Sequence, residues 1–225
     1  MLDSFLRPTQ IKTNQDGGLL RLIACVCMFI DHAGKMLFPQ LTWMRMVGRL
    51  AFPLFAYGIA VGAAMTRHPR QYIARVAALA LVSQPLYVVA LGHTNEAMYA
   101  VPFAQHPLRA LCTFYMESWE KPSILLALLL GLLLLLCLRE KQYVPALLIY
   151  ALCARFSAEL DYGVSGIGLM VVFYLFLEHP ALCFAASTAY MLVWSADGHG
   201  YPIFGMEFGM RIFATPAVML ASLPI

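Results

Sequence analysis

Residues 19–38, LLRLIACVCMFIDHAGKMLF, are long enough and apolar enough to cross a bilayer, yet they carry Arg21, Asp31 and His32. About twenty apolar helical residues span the hydrocarbon core, so this run commits the chain to a membrane fold. Each ionisable group at that depth costs about 2.5–3.5 kcal/mol on insertion scales, so such groups persist where they pair or do chemistry. The spacing adds a direction. Arg21 and His32 are eleven steps apart. Eleven steps bring a helix to within about 20° of its starting face, about 16 Å further along its axis. Arg21, Cys25, Met28 and His32 therefore share one stripe, with an arginine towards one end and a histidine towards the other.

The other apolar runs extend the same reading. With 61% hydrophobic and 12% charged residues, the chain falls far below the charged share of about 25% in soluble domains. Eight spans are expected, at about 18–38, 42–66, 70–92, 123–139, 143–158, 162–178, 180–196 and 205–224, forming one all-α bundle and one domain over 1–225. The segment 93–122 is a long polar and aromatic connection, with an apolar patch at 108–115 suited to a short helix in the membrane interface. Residues 1–17 read as a polar leader. The first run shows no small-residue cleavage site and reads as a retained span. The net charge of +3 comes with no basic tract of the kind nucleic acid requires, so membrane lipid is the expected surround. Most cysteines lie inside apolar stretches without metal-binding spacing and read as reduced packing residues. Nothing in the sequence sets an oligomeric state.

Orientation follows from Lys and Arg in the short loops. Arg7 and Lys12, Arg67 and Arg70, and Arg139 and Lys141 fall on one side if the N-terminus is cytoplasmic; Lys35 and Arg45 break the pattern. Arg21 then lies near the cytoplasmic face and Asp31-His32 nearer the exterior.

His32 is the leading candidate for chemistry, because an imidazole accepts and returns a proton near neutrality. The ordinary alternative is a satisfied histidine at a helix interface. Asp31 points about 100° away from it and suits orienting a neighbouring arginine. Arg45 and Arg49, four apart, stack on one face, fit for a carboxylate, a thioester oxygen or a phosphate, or for snorkelling. Gly58 and Gly62 suggest close helix packing. Arg67, Arg70 and Arg75 with Arg21 suggest a basic mouth, against ordinary positive-inside charge. Ser83, Gln84 and Pro85 place a polar kink inside a span, which borders a cavity or a neighbouring helix. Glu159, Asp161 and Tyr162 read as acceptor-side groups or as a helix cap. His68, His93, His106, His179 and His199 have no telling spacing.

The stretches LLRLIACVCMFIDHAGKMLF, WMRMVGRLAFPLFAYGIAVG, TRHPRQYIARVAALALVSQPLY and DYGVSGIGLMVVFYLF resemble the TraX family of conjugal-transfer membrane proteins, which includes TrbP-type proteins. The resemblance is dense over 18–92, returns at 161–176 and is weak elsewhere. It implies an inner-membrane protein associated with N-terminal acetylation of a conjugative pilin subunit. More remotely, Arg21-x10-His32 is similar to the Arg-x10-His signature of membrane acyltransferases, which move an acyl group from cytoplasmic acyl-CoA to an outer acceptor. By that resemblance His32 is the catalytic histidine and Arg21 the donor-side arginine. Asp31, Arg49, Arg75, Ser83 and Gln84 match characteristic family positions. The implied reaction uses acetyl-CoA as donor. Arg67, Arg70 and Arg75 hold its phosphates, Ser83 and Gln84 lie beside it, and Asp31 or Arg49 assists His32. One departure stands out: related proteins often carry a Tyr-Pro-x-His motif in the last span, where FATPAV here has Val218. The connection 93–122 looks like an insertion that shapes acceptor choice. A non-enzymatic assembly factor, with Arg49 paired to Asp31, is the rival reading. A proton-coupled transporter using Asp31-His32 ranks behind both.

Overall fold

The computed structural model describes residues 6–157, 160, 162–196, 201–203 and 206–224. The first helix, α1 (Gly17–Met36), starts where the Asp16 carboxylate accepts the Leu19 N–H at 2.9 Å, a standard side-chain N-cap. Helices α2 (Thr42–Gly48) and α3 (Ala51–Met65) together form the second long apolar segment, expected as one span over 42–66. Pro53 explains their separation. It lacks the N–H that would bond the Arg49 carbonyl, and its ring crowds that oxygen. The chain bridges the gap with short turns, Arg49 N–H to Arg45 O and Leu50 N–H to Val47 O at 3.3 and 3.1 Å.

Helix α4 (Pro69–Ala90) opens on a proline at its first position and carries Pro85 inside. Next come α5 (Pro107–Glu117), α6 (Ile124–Arg139), α7 (Tyr143–Arg155), α8 (Gly163–Leu175), α9 (Pro180–Ser195) and α10 (Thr215–Ser222). Each of the eight expected segments contains a helix, but among the described residues only three stretches are long and apolar enough to cross a membrane: Gly17–Met36, Thr42–Met65 and Pro69–Ala90. A fourth arises if Pro107–Glu120 and Ile124–Arg139, bent by 66°, count as one span. The last expected span begins too early at 205. Residues Tyr201–Ile203 and Met206–Phe208 pair as a short antiparallel hairpin, followed by a 3-10 turn at Met210–Ala214. The connection 93–122 holds the short helix expected at its apolar patch 108–115, α5, between 3-10 turns at Glu96–Tyr99 and Ser118–Glu120.

Helix α3 is the hub, with Phe52, Leu54, Ala56, Tyr57, Ala60 and Ala63 all buried. It packs against α1, α6, α8 and α10, while α4 and α7 lie against α6. The described part of the leader is threaded into this body. Tyr57 Oη donates to Asn14 O and receives the Thr13 hydroxyl at 2.6 Å. Asn14 bonds Leu220 O and Ala221 O on α10, and Glu178 Oε1 accepts from the N–H groups of Thr9 and Gln10. The Thr9 N–H, helped by the Gln10 N–H, the Thr9 hydroxyl and the Lys12 charge, holds the Glu178 carboxyl below its ordinary value.

Candidate functional site

At the leader end of the bundle, α1, α3, α4 and α6 enclose an open cavity of about 630 Å³. Helical periodicity builds its walls. Tyr72, Arg75, Val76 and Leu79 follow the i, i+3, i+4, i+7 face of α4; Arg21 and Cys25 are one turn apart on α1; Leu125 and Leu128 lie on α6. The α3–α4 corner adds Thr66, Arg67 and His68, with the Thr66 hydroxyl accepting the His68 N–H at 3.3 Å. The expected Gly58–Gly62 packing pair divides its work. A Cβ at Gly62 would lie 2.6 Å from Tyr72 Oη, so that glycine admits the tyrosine, whereas a Cβ at Gly58 would meet nothing within 4 Å and faces the cavity. Three exposed arginines and no carboxylate stand among the lining residues. An opening of one charge sign with apolar walls concentrates anions.

Arg21, Arg67 and Arg75 thus come together as the sequence suggested, but Arg70 does not join them. It is five residues before Arg75, about 140° around the helix. Ser83 and Gln84 also lie outside the cavity. Ser83 Oγ donates to Ala80 O at 3.4 Å. Gln84, expected beside the donor, instead holds the bend ahead of α6. Its fully buried amide donates to Ser118 O and Lys121 O at 2.5 and 2.9 Å and accepts the Ser123 N–H at 2.8 Å. Those contacts satisfy backbone groups at the break between the 3-10 turn and the helix, which answers the polar kink at Ser83–Pro85.

His32 lies on the far half of α1, half-buried, with Nδ1 2.8 Å from Met28 O. A carbonyl can only accept, so Nδ1 carries the hydrogen, and the neutral ring keeps its lone pair on Nε2. The cavity lining on α1 ends at Cys25, about 10 Å short of His32 along the axis.

Asp31 is committed elsewhere. Its Oδ2 lies 2.6 Å from Arg45 Nη1, so its partner is Arg45, not the Arg49 of the rival sequence reading. Close backbone approach makes that pair possible. A Cβ on Gly48 would sit 2.1 Å from Asp31 Oδ1, and one on Gly34 would sit 2.7 Å from the Met44 Cβ. Arg49 reaches in another direction, donating from Nη1 to Tyr162 Oη at 3.3 Å.

Tyr162, just before α8, has a left-handed conformation (φ 63°), and so does Gly163, the first residue of that helix (φ 56°). That conformation is uncommon for a bulky residue. Here the Ser157 hydroxyl accepts the Val164 N–H at 3.0 Å, and the Tyr162 ring stacks on Phe52 with centroids 4.0 Å apart. Trp194 meets both rings edge-on, and Arg211 lies over Trp194. Glu159, Asp161 and His199 lie outside the described residues. Val218 is fully buried among apolar side chains of the core.

Sequence reasoning passed over several participants. His68 and Tyr72 line the cavity, and His93 Nε2 lies 3.1 Å from Lys35 Nζ. Tyr72 was detectable from its i+3 spacing to Arg75. The Lys35–His93 pair and the Trp194–Arg211 contact join distant segments and left no local signal.

A family model described as TraX protein matches residues 16–197, which includes Arg21, Asp31, His32, Arg49, Arg67, Arg70, Arg75, Ser83 and Gln84 and leaves Arg211 and Val218 outside. An uncharacterized protein of Rickettsia prowazekii is 48% identical over 48 residues, covering 21% of this chain and 19% of its own length. The probable fimbrial assembly protein FimC of Dichelobacter nodosus is 26% identical over 167 residues, 71% of this chain and 60% of that protein. Protein TraX of Escherichia coli is 33% identical over 89 residues, 39% and 36% of the two chains. The chain therefore spans less than two thirds of each of these relatives. No solved structure matches it significantly.

Proposed function

The chain belongs to the TraX protein family, and from that premise we propose that it is a polytopic inner-membrane acetyltransferase. It transfers an acetyl group from cytoplasmic acetyl-CoA to an extracytoplasmic amine, the N-terminus of a pilin subunit. In this reading the chain is one acyltransferase-like domain of eight spans over 1–225, and the leader end is cytoplasmic. The observation that carries it is the cavity: three arginines, no carboxylate among the lining residues, and the same face of α1 leading on to His32.

Arg21, Arg67 and Arg75 bind the phosphates of the donor, and the apolar wall of Phe55, Ile59 and Val76 receives its arm. The thioester lies past Cys25, along Met28, at His32. The acceptor amine attacks the thioester carbonyl, His32 Nε2 takes the amine proton, the C–S bond breaks and His32 returns that proton to the departing thiolate. A thioester is already activated, so alignment and one managed proton supply most of the catalysis. Asp31 acts through Arg45, fixing the α1–α2 corner that aims His32. Arg49, held by Tyr162 and one turn from Arg45, stabilises the developing oxyanion.

The test is His32→Ala, followed by mass spectrometry of the mature pilin from cells carrying the variant. Loss of the acetyl group with normal insertion is expected; unchanged acetylation removes the assignment. A second reading, a non-enzymatic assembly factor, draws on two observations. Of the three relatives above, the one matched over the longest stretch is named a probable fimbrial assembly protein, and the cavity ends short of His32. Under that reading acetyl-CoA gives no thermal shift on the purified protein.

A further inference from the structure

Helix α5 is amphipathic in the reverse sense to a helix on a soluble protein. Leu108, Leu111, Cys112, Tyr115 and Met116 follow i, i+3, i+4, i+7, i+8, an apolar arc of about 140° at 100° per residue. Such a stripe ordinarily faces the core. Here it faces out: Leu108, Leu111 and Met116 are 78%, 55% and 70% exposed, and Cys112 is exposed as well. The opposite side carries the contacts. Ala110 is 8% exposed, and Phe114 packs its ring on Tyr99 with centroids 5.8 Å apart.

Three features of the fold indicate what covers this stripe. Tyr115 Oη donates to Leu81 O at 3.1 Å, which ties the stripe to the outward side of α4. That side, with Leu81, Val82, Leu86 and Val89, is exposed along a helix long and apolar enough to span the membrane. The two apolar surfaces are thus continuous. The segment Pro107–Glu120 also turns by 66° from α6, away from the direction of a spanning helix. Finally, Arg109 sits at the edge of the arc, exposed, where a guanidinium reaches headgroups while its stem lies on apolar surface.

We propose that α5 lies in the plane of the membrane at the end of the bundle opposite the leader, its Leu108–Leu111–Cys112–Met116 stripe inserted among lipid acyl chains. Interfacial helices of this kind bury their apolar face about 5–10 Å into the headgroup and acyl boundary. The helix then anchors the whole 93–122 segment, because Gln84 clamps its other end at Ser118 and Lys121. The inference uses the membrane reading of α4 and is independent of any acyl transfer.

Cys112 supplies its own probe. In full-length protein with Cys25→Ser and Cys137→Ser, the remaining three cysteines, Cys27, Cys153 and Cys183, are buried, so bimane labels Cys112. The labelled protein is reconstituted into phosphatidylethanolamine–phosphatidylglycerol vesicles. Quenching is then read from a nitroxide high on the lipid acyl chain and from aqueous iodide. Quenching by the shallow nitroxide several-fold stronger than by iodide is expected, with the reverse order for a label at Glu120→Cys. Met116→Cys in a Cys112→Ser background must repeat the Cys112 pattern, which guards against an effect of one labelled site. Iodide quenching at Cys112 equal to that at Glu120→Cys overturns the proposal, because the stripe is then in water. Protection from both quenchers overturns it as well, because a protein surface, such as a second copy, then covers the stripe. The label at Cys112 lies outside the cavity lining, so acetyl transfer by the Cys25→Ser, Cys137→Ser protein is expected to be the same before and after labelling, and failure here leaves the catalytic reading standing.

Discussion

Gly48→Ala tests the corner on which the far half of α1, beyond Cys25, depends. The added Cβ would lie 2.1 Å from Asp31 Oδ1, 2.3 Å from its Cβ and 2.5 Å from its Cγ. Comfortable carbon contacts are about 3.5–4.0 Å, so α1 and α2 must separate by at least about 1 Å. A carboxylate oxygen can rotate away, but the Asp31 Cβ cannot, and the shift pulls the carboxylate from Arg45. Overpacking of this kind costs about 1–3 kcal/mol. The lost charge-assisted bond adds about 1 kcal/mol once its partial exposure is discounted. Offsetting this, alanine gains up to about 1 kcal/mol of helix propensity over glycine, less at the helix end where Gly48 sits. The net expectation is a loss of about 1–3 kcal/mol. Gly58→Ala is the matched control, because its Cβ meets nothing within 4 Å; it should be neutral or stabilising by up to about 1 kcal/mol. Thermal unmasking of the buried Cys27, Cys153 and Cys183 thiols with a fluorogenic maleimide in detergent reads both variants. A lower midpoint for Gly48→Ala and an unchanged or higher one for Gly58→Ala is the predicted pair. Equal midpoints would refute the steric argument.

Further consequences follow from other contacts. Gln84→Leu strands two carbonyls and one N–H at a buried bend, each worth about 1–3 kcal/mol when left unsatisfied. The same thiol assay should show a midpoint well below that of Ser83→Ala. For Glu178 the folded pKa is depressed, so its grip on Thr9 and Gln10 is fully present above the ordinary carboxylate value of 4.5 and fades as pH falls below it. Limited proteolysis with an acid-active protease should cut the wild-type leader progressively faster as pH falls below 4.5, approaching the rate of Glu178→Gln, which should show no such dependence over the same range. Arg45→Ala should weaken acetyl transfer while leaving donor affinity intact, because it releases Asp31 without touching the cavity; steady-state kinetics would show a fall in kcat at constant KM for acetyl-CoA.

The elements that sequence resolved well were those with a strong local signal. Long apolar runs located α1, α3 and α4, and the eleven-residue interval put Arg21 and His32 on one face. Residues whose meaning depends on another segment were harder to read. Asp31 took Arg45 rather than Arg49 because Gly48 lets the α1 backbone approach α2 at that level, and nothing in the one-dimensional spacing reports such an approach. Gln84 was recognised as unusual, yet its partners are backbone atoms 34 to 39 residues away. The break at Arg49–Leu50 interrupts the single span expected over 42–66; it stems from Pro53, whose effect falls on the residue four positions earlier. The hairpin ahead of α10 was masked by an apolar composition that suits a span equally well.

The claim that organises the site is that Arg21, Arg67 and Arg75 form a donor cavity and Arg70 does not. Binding of acetyl-CoA to purified protein, measured by calorimetry on the wild type and on Arg21→Ala, Arg75→Ala and Arg70→Ala, tests it most directly. Each charge-assisted contact to phosphate is worth about 1.5–3 kcal/mol, so Arg21→Ala and Arg75→Ala should each weaken binding by roughly tenfold or more, with Arg70→Ala close to wild type. No binding by the wild type, or an equal loss with Arg70→Ala, would contradict the account.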